Sequence, residues 1–161
     1  MTPAEIQQAY DLQHVIDSEQ DKRKAIIDEA LTWLDTPFLD KQTVKGMGCD
    51  CATFIHRVFV PKFSPNVPLP DYAVQWFLNR SDELYLDMLH KCGLHEVPKP
   101  TGQGDIFIVK FGRTFAHGGI VLNWPRVIFA NPRVRPPRVM INDYYDNPMF
   151  MGREVKFFSL F

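Results

Sequence analysis

Cys51 and His117 are the two residues of this chain whose types and settings best fit nucleophilic chemistry. Cys51 lies in Gly48-Cys49-Asp50-Cys51-Ala52-Thr53-Phe54-Ile55, where loop turns into an amphipathic helix. From Cys51 the apolar positions Phe54, Ile55, Val58 and Phe59 follow the i, i+3, i+4, i+7, i+8 spacing of one buried helical stripe. Asp50, just before the stripe, is placed to cap the helix. A thiol in the first turn faces the positive end of the helix dipole and several free backbone N–H groups, both of which favour thiolate over thiol. A histidine on a neighbouring element would supply the base that such a nucleophile needs.

The elements that must bring the two together can be read on either side. Gly104-Asp105 is a turn signal before the β-rich run Ile106–Phe111. Gly112-Arg113-Thr114 reads as the next turn, and Arg126–Ala130 as a third β-like run after Asn123-Trp124-Pro125. The three runs predict an antiparallel meander, with His117 opening its middle strand. Gly118 and Gly119 leave room there for a close approach to the backbone. A cysteine at a helix N-terminus with a histidine on an adjacent sheet is the layout of papain-like cysteine hydrolases. Thr2-Pro3-Ala4-Glu5 has the form of a capping box, predicting a helix to about Ile16. Ser18–Asp21 reads as a break before a second helix that ends near Leu34. Pro61–Pro70 reads as a loop, Asp71–Asn79 and Ser81–Lys91 as helices, and Gly93 as a stop. Pro132–Pro137 is irregular, and Glu154–Phe161 is a last strand closing the sheet.

These residues carry a family resemblance. Gly48-Cys49-Asp50-Cys51 with Phe54-Ile55 resembles the nucleophile motif of the NlpC-type cell-wall peptidases. Gly104-Asp105-Ile106-Phe107, then Ala116-His117-Gly118-Gly119-Ile120-Val121-Leu122, resembles their histidine motif. Ala25–Leu34 followed by Thr36-Pro37-Phe38 resembles their opening helix and Thr-Pro-Tyr segment. Lys45–Cys51 resembles the subgroup encoded in phage and prophage tail modules. The resemblance spans residues 22–160. It implies an α+β, papain-like NlpC fold: N-terminal helices packed on a central antiparallel β-sheet, with the nucleophile at a helix N-terminus. The whole chain, 1–161, is then one peptidase domain, with residues 1–20 an additional N-terminal helix.

The resemblance also implies an activity: hydrolysis of the peptide stems of peptidoglycan, at the bond between D-glutamate and the following diamino acid. The reaction would be acyl transfer from Cys51 with His117 as base, through a thioester, with backbone N–H groups at the helix start holding the oxyanion. Asp50 and Phe38 fall at substrate-binding positions. The family's third catalytic position, usually polar, falls on Phe129, twelve residues past His117. Asn131 lies two residues on, hence on the same strand face, and is the candidate to orient the imidazole. Phe38 stands where the family has tyrosine, and Ala52-Thr53 where it has Ser-Gly. A tail-tip structural protein that retains the fold without the activity is the alternative that these departures favour. Acyl transfer to an amine or lipid is a further one.

Composition bounds the remaining classes. A chain of 161 residues can bury about two-thirds of its unfolded surface as one domain. The formal net charge of −1 favours neither nucleic acid nor an acidic membrane as partner. There is no apolar run long enough to insert in a bilayer, and Met1–Glu5 lacks the features of a signal peptide. The expectation is synthesis in a host cytoplasm, with peptidoglycan stems and phage tail-tip proteins as partners and a place in the virion tail, acting in the periplasm or at the wall. The cysteines are expected reduced. Cys49 is too near Cys51 for an ordinary disulfide, and His56 lies about 140° around the helix from Cys51, so it is not its base. Cys49, Cys51, Cys92 and His95 lack zinc-knuckle spacing, and no metal or other cofactor is expected. Arg126, Arg133, Arg135 and Arg138 form a solvated loop or, alternatively, hold a carboxylate of an acidic peptide.

Overall fold

The computed structural model describes residues 1–72 and 83–161. The helix expected over Asp71–Asn79 falls largely outside them. The chain opens on one long helix, α1 (Pro3–Leu31). Its start is the capping box read from sequence: Glu5 N–H donates to Thr2 Oγ1 at 3.2 Å, and Thr2 N–H to Glu5 Oε2 at 2.6 Å. The break expected at Ser18–Asp21 does not occur. Those residues are polar but none is glycine or proline, and an ion pair from Arg23 Nε to Glu19 Oε1 at 2.9 Å runs along the helix there. Residues 1–15 are exposed on every side. Farther on, Arg23, Ile26 and Ala30 are buried at helical spacing, so only the second half of α1 has a face against the body.

Arg23 and Asp105 fix that face. Arg23 Nη1 donates to Asp105 Oδ1 at 3.1 Å and to the Gln103 carbonyl at 2.7 Å. Asp105 Oδ2 accepts from Thr101 N–H, Thr101 Oγ1 and Gly102 N–H. A charged pair removed from water needs every remaining lone pair engaged, and this one has that. The Gly104-Asp105 turn, with Gly104 at φ +85°, is therefore an anchor for α1 as well as the lead into the sheet.

After a two-stranded ribbon, β1 (Thr43–Val44) with β2 (Gly48–Cys49), comes α2 (Cys51–Phe63). It runs through Pro61, three residues into the expected loop, before Ser64 N–H closes on the Val60 carbonyl. A third helix, α3 (Leu84–Lys91), ends at Gly93, φ +84°, as expected of a left-handed C-terminal glycine.

The main sheet has six strands: β3 (His95–Val97), β4 (Ile106–Phe111), β5 (Thr114–Asn123), β6 (Arg126–Asn131), β7 (Arg138–Asp143) and β8 (Val155–Ser159). Their order is β3-β8-β4-β5-β6-β7, antiparallel throughout. The predicted meander is β4-β5-β6, extended by β7. The last strand, β8, returns to pair on the outer side of β4. The middle strand starts at Thr114, so His117 lies inside it rather than opening it. Gly118 and Gly119 fill their expected role, but toward the sheet itself. A Cβ on Gly118 would collide with the Phe107 carbonyl, and one on Gly119 would lie 2.5 Å from the Ile128 carbonyl and 2.6 Å from Phe129 Cβ.

Candidate active site

Asp50 builds the site's first wall. Its Oδ1 accepts the N–H groups of Ala52 (3.0 Å) and Thr53 (2.9 Å), while Thr53 Oγ1 accepts the Asp50 N–H at 2.7 Å, a reciprocal cap. Its Oδ2 accepts from Lys41 N–H at 2.8 Å and from the Tyr72 hydroxyl at 2.6 Å. Those four bonds occupy the acceptor positions of a carboxylate, and Asp50 is only 4% exposed. In this arrangement the residue braces α2, the 41 loop and the 72 segment together.

Cys51 follows as the first residue of α2, as the spacing predicts. Tyr85 Oη donates to its carbonyl at 3.1 Å. Its Sγ donates to the Ala116 carbonyl at 3.6 Å. The sheet register explains why that carbonyl is free: Val109 pairs with His117 but Lys110 with Phe115, so Ala116 is the extra residue of a bulge. Burial pushes the Cys51 thiol well above the usual range, and the neighbouring Asp50 charge adds to this. Backbone N–H groups of Gly118, Ala52 and Cys51 pull the other way without prevailing. The helix-start argument for a thiolate thus names real groups, but burial outweighs them. Cys49 is raised to about 12 by burial and Asp50, and all three cysteines are free thiols.

His117 sits among aromatic rings. Phe111, Phe150 and Phe129 lie with centroids 5.6, 5.8 and 5.9 Å from the imidazole. It is 7% exposed, and Nε2 is buried without a hydrogen-bond partner. Burial, with the Arg133 and Arg153 guanidinium charges, lowers its pKa to about 3. Among the described residues no hydrogen bond joins Cys51 to His117. The thiol instead meets the backbone of the residues on both sides of His117. The structure therefore brings α2 and β5 into register but leaves both side chains neutral and unjoined.

Among the described residues no hydrogen bond joins Asn131 to His117. Asn131 Nδ2 lies 3.3 Å from Met140 Sδ, and its Oδ1 accepts the Arg133 N–H at 2.9 Å. Phe129, nearer along the strand, is the side chain that meets the imidazole. Phe38 is half-buried; its backbone bridges Cys49 in parallel, and its N–H donates to the Pro137 carbonyl at 3.0 Å, so it flanks the nucleophile loop. His56 Nε2 is 2.8 Å from the Val67 carbonyl, away from Cys51's chemistry. Tyr72 and Tyr85 were not singled out by sequence, and no spacing rule ties either to Cys51. Among the described residues no group of three or more His, Cys, Asp or Glu side chains is placed to hold a metal ion.

No protein-family model matches the sequence, and no curated protein matches it. Solved structures do match. The chain is similar to the NlpC/p60 domain of the peptidoglycan hydrolase SagA, with a TM-score of 0.52 and 16% identity over 83% of this chain and 96% of that one. It is also similar to a Staphylococcus aureus protein described as similar to lipoprotein, of the NLP/P60 family. There the TM-score is 0.52 and the identity 18%, over 83% of this chain and 40% of that one. At these identities the shared property is the fold, a mixed helix and antiparallel-sheet arrangement of the NlpC/p60 kind.

Proposed function

We propose that this chain is a cysteine peptidase acting on the peptide stems of peptidoglycan, with Cys51 as nucleophile and His117 as general base. The observation that carries the reading is the placement of Cys51: first residue of a capped helix, with its sulfur against the backbone of Ala116 and Gly118 on either side of His117. The NlpC/p60 fold likeness supports the substrate class. Because both groups rest neutral, the imidazole takes the thiol proton as the sulfur attacks, after turning from its phenylalanine surroundings toward Sγ. The N–H groups at the start of α2 hold the developing oxyanion. The protonated imidazole then gives its proton to the leaving amine, and water releases the acyl group from the thioester. The bond cleaved is the one between D-glutamate and the following diamino acid. The source is a phage or prophage tail module, and tail-tip proteins are the partners.

A second reading keeps the fold and drops the catalysis, leaving a tail-tip structural protein. Phe129 against His117, and the unpartnered Nε2, favour it specifically. Digestion of purified peptidoglycan separates the two. New stem fragments with wild type and none with Cys51→Ala are expected of the peptidase, and their masses locate the bond. Undigested sacculi with both proteins, alone and in assembled particles, would establish the structural reading instead.

A further inference from the structure

We infer that Arg133 is a carboxylate-binding residue on the histidine side of the site, reading an acidic side group of the substrate. The inference rests on the peptidase reading above and adds a recognition element to it. Four arginines and no aspartate or glutamate occupy residues 126–142, a local excess of positive charge on a chain that is close to neutral overall. Two guanidinium groups, those of Arg133 and Arg153, act on His117, and the arginines of this region are not equivalent. Arg153 is tied down: it donates to the Met149 and Lys110 carbonyls and stacks 3.9 Å over the Phe111 ring. Arg135 donates to the Pro132 and Val134 carbonyls, and Arg138 to that of Pro136, with Asp35 at 3.6 Å. Arg133, like Arg126, has an exposed side chain with no hydrogen-bond or ion-pair partner among the described residues, but of those two only Arg133 has a charge that acts on His117.

Its position is nevertheless fixed at the backbone. β6 carries Phe129 against His117, and two residues later Asn131 Oδ1 accepts the Arg133 N–H at 2.9 Å. This side-chain turn sets where the arginine leaves the strand. Its charge is close enough to act on the imidazole. A planar guanidinium with all its donors free is suited to bidentate pairing with a carboxylate, which a neutral amide cannot match. A glutamyl residue linked through its side-chain carbonyl keeps its α-carboxylate a short way from the scissile bond. That is the ligand chemistry assigned to Arg133. Docking it would also screen one of the charges that disfavour a protonated His117, so binding and base strength would be coupled.

The test uses Cys51→Ala full-length protein and two synthetic stem tripeptides that differ only in a free α-carboxylate or a carboxamide on the glutamyl residue. Calorimetry at low ionic strength should show the carboxylate form binding about tenfold more tightly, with the gap shrinking in higher salt. In the double variant with Arg133→Gln the gap should close, and with Arg133→Lys it should be partly kept. Equal affinities, or a gap that survives Arg133→Gln, overturn the assignment and leave the peptidase reading untouched. Binding of neither peptide also overturns it, and the sacculus digest by wild-type protein then decides the peptidase reading separately. Arg133 is exposed, so its substitutions leave the fold intact, and a circular dichroism spectrum matching wild type checks this.

Discussion

His117 and Phe129 meet edge to face on neighbouring strands, ring centroids 5.9 Å apart and planes at 88°. A phenyl edge packs an imidazole but accepts no hydrogen bond, and Nε2 accordingly has no partner. Replacing that edge with an acceptor should change both tautomer control and basicity. Phe129→His is expected to speed alkylation of Cys51 at neutral pH by about tenfold or more, within the range that general bases contribute. It should also move the His117 titration, followed by NMR, upward from about 3. An unchanged rate together with an unchanged titration would show that Phe129 is not what holds the pair apart.

The pH response of stability follows from the same burial. The His117 pKa is near 3 in the fold against about 6.5 in an unfolded chain. Between those values the unfolded chain binds a proton that the fold does not, so stability falls as pH falls through the window and is flat in this group above it. The slope is up to about 1.4 kcal/mol per pH unit. His117→Gln should lose that slope in urea titrations taken from pH 7 to 4, the remaining titratable groups contributing equally to both proteins. Matching slopes would mean that the imidazole is protonated in the folded state.

Asp50 acts on Cys51 in two opposing ways, by capping its helix and by raising its thiol. Asp50→Asn keeps an oxygen for the Ala52 and Thr53 N–H groups but turns an amide donor toward the Lys41 N–H. The cost should be about 1–3 kcal/mol, read as a lower Tm. Removing the charge should at the same time make Cys51 alkylation faster at fixed pH. A variant that loses stability without gaining reactivity would show that burial alone sets the thiol.

What the sequence revealed and what it hid divide along physical lines. The capped start of α2, the β4-β5-β6 meander and the Gly93 stop rest on local patterns of polarity and turn chemistry, and these the structure reproduces. The expected break in α1 does not exist, because a polar stretch looks like a loop when its i, i+4 partners are overlooked; Glu19 and Arg23 are such a pair. β7 was missed because Pro136 and Pro137 hide the start of a strand whose pairing partner, β6, lies across a loop. Reactivity was the least legible property. A helix N-terminus favours thiolate locally, but burial depends on every element that covers the site, including Tyr85 from α3 and the strand carrying Ala116. The partner of His117 likewise depends on whether Phe129 or Asn131 faces the ring. The sheet register decides that, and sequence spacing does not.

The anchoring of α1 offers the largest single stability effect. Asp105 is fully buried and holds Arg23 from α1 together with the N–H groups of Thr101 and Gly102. Asp105→Ala would leave a guanidinium in the interior without its carboxylate and two backbone donors without an acceptor. Removing one member of a buried pair costs about 3–5 kcal/mol, which for a chain of this length corresponds to roughly 6–20 °C in Tm. The double substitution Arg23→Met with Asp105→Leu removes both charges and should recover much of that loss, because an apolar pair of similar volume needs no partner for either charge. If the double variant is no more stable than Asp105→Ala, the bonds to Thr101 and Gly102, rather than the ion pair with α1, are what the carboxylate contributes. Truncating residues 1–15 then serves as the control: that part of α1 is exposed throughout, and its loss should leave the Tm of either protein nearly unchanged.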